Sequence, residues 1–247
     1  MEEFRKALLK DDLDLYEAKK LQIKYKSIFK NLESKEEISL SNIINIAAVD
    51  ISYLKKENEE HGISCAVLWN IKNKRVNSSV FCEDQIRFPY RPGFLGFREC
   101  HLLAEAINKL VEKPDVIMCD GHGIIHPKRF GEAVQLGFAL NVPSIGIAKN
   151  PFIGFYKWKS LEKKRGNKQP ILTSKPKFIN IKKPELLGYA VCLNDNMRPV
   201  FISEGYGVNL DLAIELALQT TLNHRQPEPL YLADQLSKRK AREIFKT

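Results

Sequence analysis

The sequence predicts an α/β fold built on a mixed sheet, part antiparallel and part parallel, with helices on both faces. Three observations carry this. Residues 43 to 83 read as three extended segments joined by tight turns, an antiparallel meander. Residues 115 to 150, DVIMCDGHGIIHPKRFGEAVQLGFALNVPSIGIAKN, read as strand, loop, helix and strand, which demands two strands running the same way. Helical spacing of apolar residues recurs at 15–32, 102–111, 209–222 and 230–245.

In chain order, 11–32 is a helix with apolar positions at 15, 18, 21, 25, 28, 29 and 32, and Asp11 or Asp12 is placed to cap it. A polar linker, 31–41, follows. Ile43 to Val49 is a strongly apolar strand, and the extended pattern continues through Asp50 to Tyr53. A carboxylate inside such a strand is costly unless paired, protonated or on a metal, so Asp50 is a candidate functional residue. Segments 63–70 and 75–83 complete the meander. Phe88-Pro89-Tyr90-Arg91-Pro92-Gly93 is a rigid aromatic loop, because two prolines fix φ and resist helix and central strand. It suits either a wedge against stacked bases or a plain connector. Glu99 lies in the first turn of the next helix, where the helix dipole favours an acid in any case.

Val116 to Cys119 is a short buried strand, Lys128 to Leu140 a helix, and Ser144 to Ala148 a second strand. Asp120 follows the first strand and Lys149 the second, so both fall on the carboxyl edge, where open α/β sheets bind ligands. Asp-Gly is also a common turn and a lysine a common strand end. Their joint placement on one edge favours a site. Strands at 186–193 and 199–202 flank a turn, Ser203 to Gly207 is a glycine-bracketed loop, and Asn209 is placed to cap the helix to 222.

The 247 residues suit one domain spanning 1–247. No apolar run approaches the ~20 residues that cross a bilayer, and the charged N-terminus lacks the apolar core of a secretory signal. The five cysteines are widely spaced with no CxxC pair, which excludes a zinc ribbon and fits reduced thiols in the cytoplasm. Net charge is +9, and residues 151–184 hold ten Lys/Arg against one acid, Glu162, interleaved with Phe152, Phe155, Tyr156, Trp158 and Phe178. That mixture suits a phosphate backbone and unstacked bases, or else a solvated insertion.

Asp50, Glu99 and Asp120 are thus three carboxylates on three elements. Oxygen donors without Cys or several His favour Mg²⁺ or Mn²⁺ over zinc. A meander, a helix and a β-α-β unit with acids on the first and fourth strands is the arrangement a ribonuclease H-like nuclease needs.

At this point the chain resembles the endonuclease V family of deoxyinosine 3′-endonucleases. The resemblance rests on AAVDISY at 47–53, PYRPGFLGFRE at 89–99, DGHGIIHPKRFGEAVQLG at 120–137, PSIGIAKN at 143–150 and RQPEPLYLADQLSKR at 225–239. It implies a ribonuclease H-like fold and Mg²⁺-dependent cleavage of DNA or RNA at the second phosphodiester 3′ to an inosine, leaving 3′-hydroxyl and 5′-phosphate ends, by a protein expected to be a monomer. It implies Asp50 and Asp120 as metal ligands, Glu99 as the acid holding metal-bound water, and Lys149 as support for the attacked phosphate. Tyr90, Pro92 and Gly93 match the strand-separating wedge, where Arg91 replaces the usual aliphatic residue. Gly93, Leu95 and Gly121 match the holder of the extruded base, and His126 a histidine beside the scissile strand. Gln135 stands for a usual histidine, and so does Tyr206 in the 203–207 loop, where a phenol is a poor proton shuttle near neutral pH. That replacement implies reduced activity or a relative that binds inosine-containing or branched nucleic acid without cutting it. His122 is either a substitute for that histidine or a loop residue touching phosphate.

Overall fold

Alternation of inward and outward residues gives the meander: Asn45–Lys56 (β1), Glu59–Asn70 (β2) and Arg75–Gln85 (β3) pair antiparallel in order. Glu57 and Asn58 both take positive φ, 50° and 68°, the conformation that a two-residue hairpin between right-twisted strands requires. The structure, a computed structural model, describes residues 1–29, 38–173 and 184–245. Most of the 31–41 linker lies outside these residues, as do Lys175, Lys177, Phe178, Lys182, Lys183 and the side chain of Trp158.

Val116–Cys119 (β4) runs parallel to β1, and Ser144–Ala148 (β5) parallel to β4. Lys168–Leu172 (β6), Leu186–Val191 (β7) and Val200–Glu204 (β8) extend the sheet antiparallel, giving the order β3-β2-β1-β4-β5-β8-β7-β6. The fold is the mixed α/β sheet that the sequence predicts. β6 was not legible: it lies in the basic segment, where among the described residues only Ile171 is fully buried. Part of that segment is therefore sheet edge, and Arg165 donates to the carbonyls of Leu193 and Leu218.

Helices cover both faces. Short Glu2–Ala7 (α1) and Leu15–Phe29 (α2) precede the sheet in the chain, Leu95–Asn108 (α3) and Glu132–Leu140 (α4) lie within it, and Leu210–Gln219 (α5) and Glu228–Phe245 (α6) close it. Val49 and Leu68 pack with Leu102, Leu103 and Leu136 of α3 and α4 on one face. Ile46, Ala48 and Met118 pack with Leu212 and Leu216 of α5 on the other, where Ala233 of α6 meets Cys65 and Val67. α1 and α2 lie outside α4, through Phe4, Leu8 and Tyr25 against Phe130 and Phe138. All five cysteines are free and buried, and no helix among the described residues is long and apolar enough to cross a membrane.

Local chemistry moves two boundaries and keeps a third. α2 starts at Leu15 because Asp14 and Glu17 cap each other reciprocally, Glu17 N donating to Asp14 Oδ1 at 2.8 Å and Asp14 N to Glu17 Oε2 at 2.9 Å. Asp11 instead pairs with Arg87. α4 starts at Glu132 rather than Lys128, because His126 Nδ1 accepts the N–H of Lys128 at 3.2 Å and of Phe130 at 3.4 Å and bends that stretch into a turn. Asn209 does cap α5, accepting Leu212 N at 2.9 Å.

The loop after β4 folds back over β5. Gly146 lies beneath it, and a Cβ there would overlap Gly123 N and Gly121 O. Gly146→Ala should therefore lower stability by about 1–3 kcal/mol, the usual range for overpacking. Urea unfolding of wild type and variant measures this.

Candidate metal and nucleic-acid site

β4 stops level with β1: Val49 pairs with Cys119, and the next residue on each strand is an acid, Asp50 and Asp120. Asp50 shares its face with Ala48 and Ile46, the face that α6 covers, and α6 brings Asp234 to the same point. Asp50, Asp120 and Asp234 each offer a carboxylate oxygen, and these lie within 4.8 Å of one another. Lys149, just past β5, ion-pairs with Asp120 and reaches Asp234 Oδ1 at 3.2 Å. Lys238, one helical turn beyond Asp234, binds both of its oxygens at 2.8 and 2.7 Å.

Burial, with Asp120 alongside, pushes the Asp50 carboxyl up to about 8. Burial also opposes charge on Lys149 and Asp234, but each is overruled: Asp120 holds the Lys149 ammonium above its ordinary value, and Lys238 with Lys149 holds the Asp234 carboxyl below its own. Three clustered carboxylates, one of them reluctant to ionise without a cation, are hard-oxygen chemistry suited to a divalent ion such as Mg²⁺ or Mn²⁺.

Glu99 reaches this edge from the opposite face. Its Oε1 accepts the Tyr53 hydroxyl, and Arg98 lies 4.6 Å from the Tyr53 ring centre. Glu99 also hydrogen-bonds Glu132, and burial raises both carboxyls. It stands behind the triad rather than in it.

Beside the acids opens a cavity of ≈ 200 Å³ whose wall includes Tyr90, Arg91, Pro92, Gly93, Leu95 and Phe152. Tyr90 is 66% exposed at its rim. The loop beneath it is pinned at Gly93, whose carbonyl accepts Gln22 Nε2 at 2.8 Å and His126 Nε2 at 3.1 Å, and whose φ of +83° favours glycine. His126 is thus a neutral strut, its pKa lowered to about 4 by burial. His122 is lowered to about 4 by burial and then by His126, and stacks on Phe152 with ring centres 5.8 Å apart.

These features meet relatives of known kind. The sequence profile of the family described as Endonuclease V matches residues 26–235. The endonuclease V of Dictyoglomus turgidum is 43% identical over 155 residues, 63% of either chain. That of Rippkaea orientalis is 34% identical over 221 residues, 89% of this chain and 91% of the relative. The chain belongs to the endonuclease V family. A crystal structure of Ciona intestinalis endonuclease V, in complex with a 24-mer DNA containing an inosine followed by a ribo-adenosine, superposes with a TM-score of 0.79 at 26% identity, covering 92% of this chain and 98% of that one.

As an endonuclease V, the chain departs from its sequence reading at several points. Tyr206 is not at the acid centre. Its backbone N–H donates to Ser144 Oγ at 2.9 Å, at the start of β5, and its hydroxyl meets Asn141 Oδ1 at 3.1 Å. Antiparallel pairing of β8 with β5 delivers this loop to the edge opposite Lys149. Gly121 lies outside the cavity wall; a Cβ there would overlap the Glu132 carboxyl, so its role is to admit that group. Gln135 does line the cavity, and its Nε2 donates to Leu8 O at 2.8 Å. Sequence reasoning missed Asp234 and Glu132. The signal for Asp234 was an acid in the apolar stripe of a helix, beside Leu230 and Ala233, on a stretch already singled out by the family resemblance.

The raised Asp50 pKa makes stability depend on pH. Folded Asp50 keeps its proton to about pH 8, while the unfolded group ionises near 3.8. The folded state binds more protons in that window, so stability is full below it and falls as pH rises through it. Metal-free protein should lose urea resistance across this range, and Asp50→Asn should flatten the decline.

Proposed function

We propose that this protein is a metal-dependent endonuclease that cuts inosine-containing nucleic acid at the second phosphodiester 3′ to the inosine, leaving 3′-hydroxyl and 5′-phosphate ends. It acts as a cytoplasmic monomer in DNA repair or in processing inosine in RNA. The observation that carries this reading is the convergence of Asp50, Asp120 and Asp234 within 4.8 Å, beside an open cavity. The inosine assignment draws on family membership and on the inosine-bearing DNA held by the Ciona intestinalis relative.

Exposed Tyr90, with Arg91 and Pro92, enters the stack, and the extruded base drops between Gly93, Leu95 and Phe152. Turning it out costs a few kcal/mol, which Tyr90 offsets by replacing lost stacking. Asp50, Asp120 and Asp234 would hold a divalent ion, which would supply charge stabilisation at the phosphate and help orient water. Lys149, held charged by Asp120, sets an ammonium against oxygens that gain negative charge as the bond breaks. Glu99, fixed by Tyr53 and Glu132, orients the attacking water. His126, neutral and occupied at both nitrogens, holds the wedge loop and moves no proton.

A binding-only role would need a deficient centre, and Tyr206, the residue that suggested one, lies away from it. Matched DNA and RNA strands with a single inosine, incubated with Mg²⁺ or Mn²⁺ and mapped to the nucleotide, test the reading. Asp120→Asn should abolish cutting and leave binding, and Asp234→Asn should slow it by about 10- to 100-fold or more. Wild-type rates in Asp120→Asn would refute the site.

A further inference from the structure

A second opening adjoins the acid centre. β1 passes its last β4 partner, Val49, and runs on to Lys56 paired only with β2 among the described residues. Between this stretch and α6 lies a groove of ≈ 650 Å³, lined by residues 51–55 and by Lys238, Ala241 and Arg242. It starts at Ile51, the residue after Asp50, and at Lys238, one helical turn beyond Asp234. The cavity described above instead touches His122 and Asn150, which lie just past Asp120 and Lys149. The cavity rests on the first turns of α3 and α4, on one face of the sheet, and the groove rests on α6, on the other. The acids stand between the two.

The groove is basic over an apolar floor. Asp234, Lys238 and Arg242 follow one another at intervals of four, so they share a face of α6 and lead away from the centre. The Lys238 ammonium binds both Asp234 oxygens, and with three donors it keeps one for another acceptor. Lys56 pairs with Glu83, and Arg239 and Lys240 with Glu243, as on an ordinary solvated surface. Lys55 and Arg242, which line the groove, are exposed and have no acidic partner among the described residues. Beneath them lie buried Ile51 and Ala241, half-buried Leu54 and the exposed part of Tyr53. Cations set over apolar and aromatic surface suit the phosphates and the ring faces of a single nucleic-acid strand.

We propose that this groove holds the substrate strand on the 3′ side of the cut, with Lys55, Lys238 and Arg242 gripping its phosphates. This rests on the function proposed above and adds the course of the strand. The extruded base enters the cavity and the cut lies 3′ to that base, so the strand crosses the acids and leaves along the groove. Continuity with the centre favours the substrate's own strand over an acidic protein segment, which would have no reason to begin at Asp50 and Asp234. Lys55 and Arg242 bind the strand at a distance from the reacting bond and take no part in breaking it.

The test uses single strands with one inosine, alike on the 5′ side, that either end just past the cut or continue several nucleotides further 3′. In wild type the 3′ extension should raise kcat/KM by about tenfold or more, the scale of two or three phosphate contacts. The double variant Lys55→Glu, Arg242→Glu should lose most of that gain, yet profit from an added 5′ extension as much as wild type does. In Asp120→Asn protein, which keeps strands whole, replacing Lys55 and Arg242 by Ala should lower the salt slope of binding to the extended strand by about 0.7 per residue. Damage to the fold would slow short and long strands alike and leave their ratio unmoved. Both side chains are exposed, and a thermal melt checks folding. No gain from the 3′ extension in wild type, a gain that survives in the double variant, or an unmoved salt slope overturns the inference, and the proposed function stands as long as inosine strands are cut at the stated bond. A wild-type protein that does not cut there overturns the proposed function, and this inference with it.

Discussion

Parallel pairing of β1 with β4 forces two carboxylates together, and the rest of the site answers that constraint. Val49 and Cys119 are the last partners in register, and an aspartate follows on each strand. Neighbouring strands lie roughly 4.8 Å apart, so the sheet spacing itself sets how closely Asp50 and Asp120 approach. β5 is the next parallel neighbour, and Lys149 follows its end. The carboxyl edge thus reads acid, acid, base across three adjacent strands. α6 crosses the face to which Asp50 points and adds Asp234, with Lys238 one turn further on to hold it.

Such a cluster works against folding. Asp50 is driven toward its neutral form by burial and by Asp120, and the lysines that hold Asp120 and Asp234 do not fully relieve it. A divalent cation would resolve the conflict, because it would let all three acids ionise. The same charges that weaken the fold would favour a bound metal, a local frustration that folds tolerate where function requires it.

The sheet was legible because its signals are local: alternation in 43–83, a short apolar run before Asp120, and a proline before the strand that ends at Lys149. Asp120 and Lys149 were legible for the same reason, since strand direction alone assigns them to one edge, and Asp50 was legible as an acid inside an apolar strand. What lay hidden depends on contacts distant in sequence. Asp234 is 114 residues beyond Asp120 in the numbering, and its one local signal, a place in the apolar stripe of its helix, does not say which site it joins. Tyr206 was misplaced because the direction of β8, not its composition, decides which edge its loop reaches. The basic segment holds a structural role that its composition did not announce. Arg165 stitches the ends of β7 and α5 through carbonyls, and Lys168 lies 4.7 Å from the ring centre of Tyr189, so part of that charge serves packing.

Absent side chains bring the cavity close to the acids. The loop after β4 returns over β5 only because Gly146 leaves room beneath it, and Gly121 leaves room for the Glu132 carboxyl. With those spaces open, the His122 carbonyl accepts Ala133 N at 3.1 Å and the Gly123 carbonyl accepts Gly131 N at 3.2 Å, so the loop itself caps α4. The capped end carries Glu132 between the cavity and Glu99. One short loop therefore shapes both the inner wall of the cavity and the setting of the acid behind the centre. A side chain added at either glycine would disturb both together, whereas a change at Tyr90 or Arg91 touches only the cavity wall. The geometry thus ties the inner wall, through Glu132, to the acid behind the centre, and leaves the exposed rim independent of it.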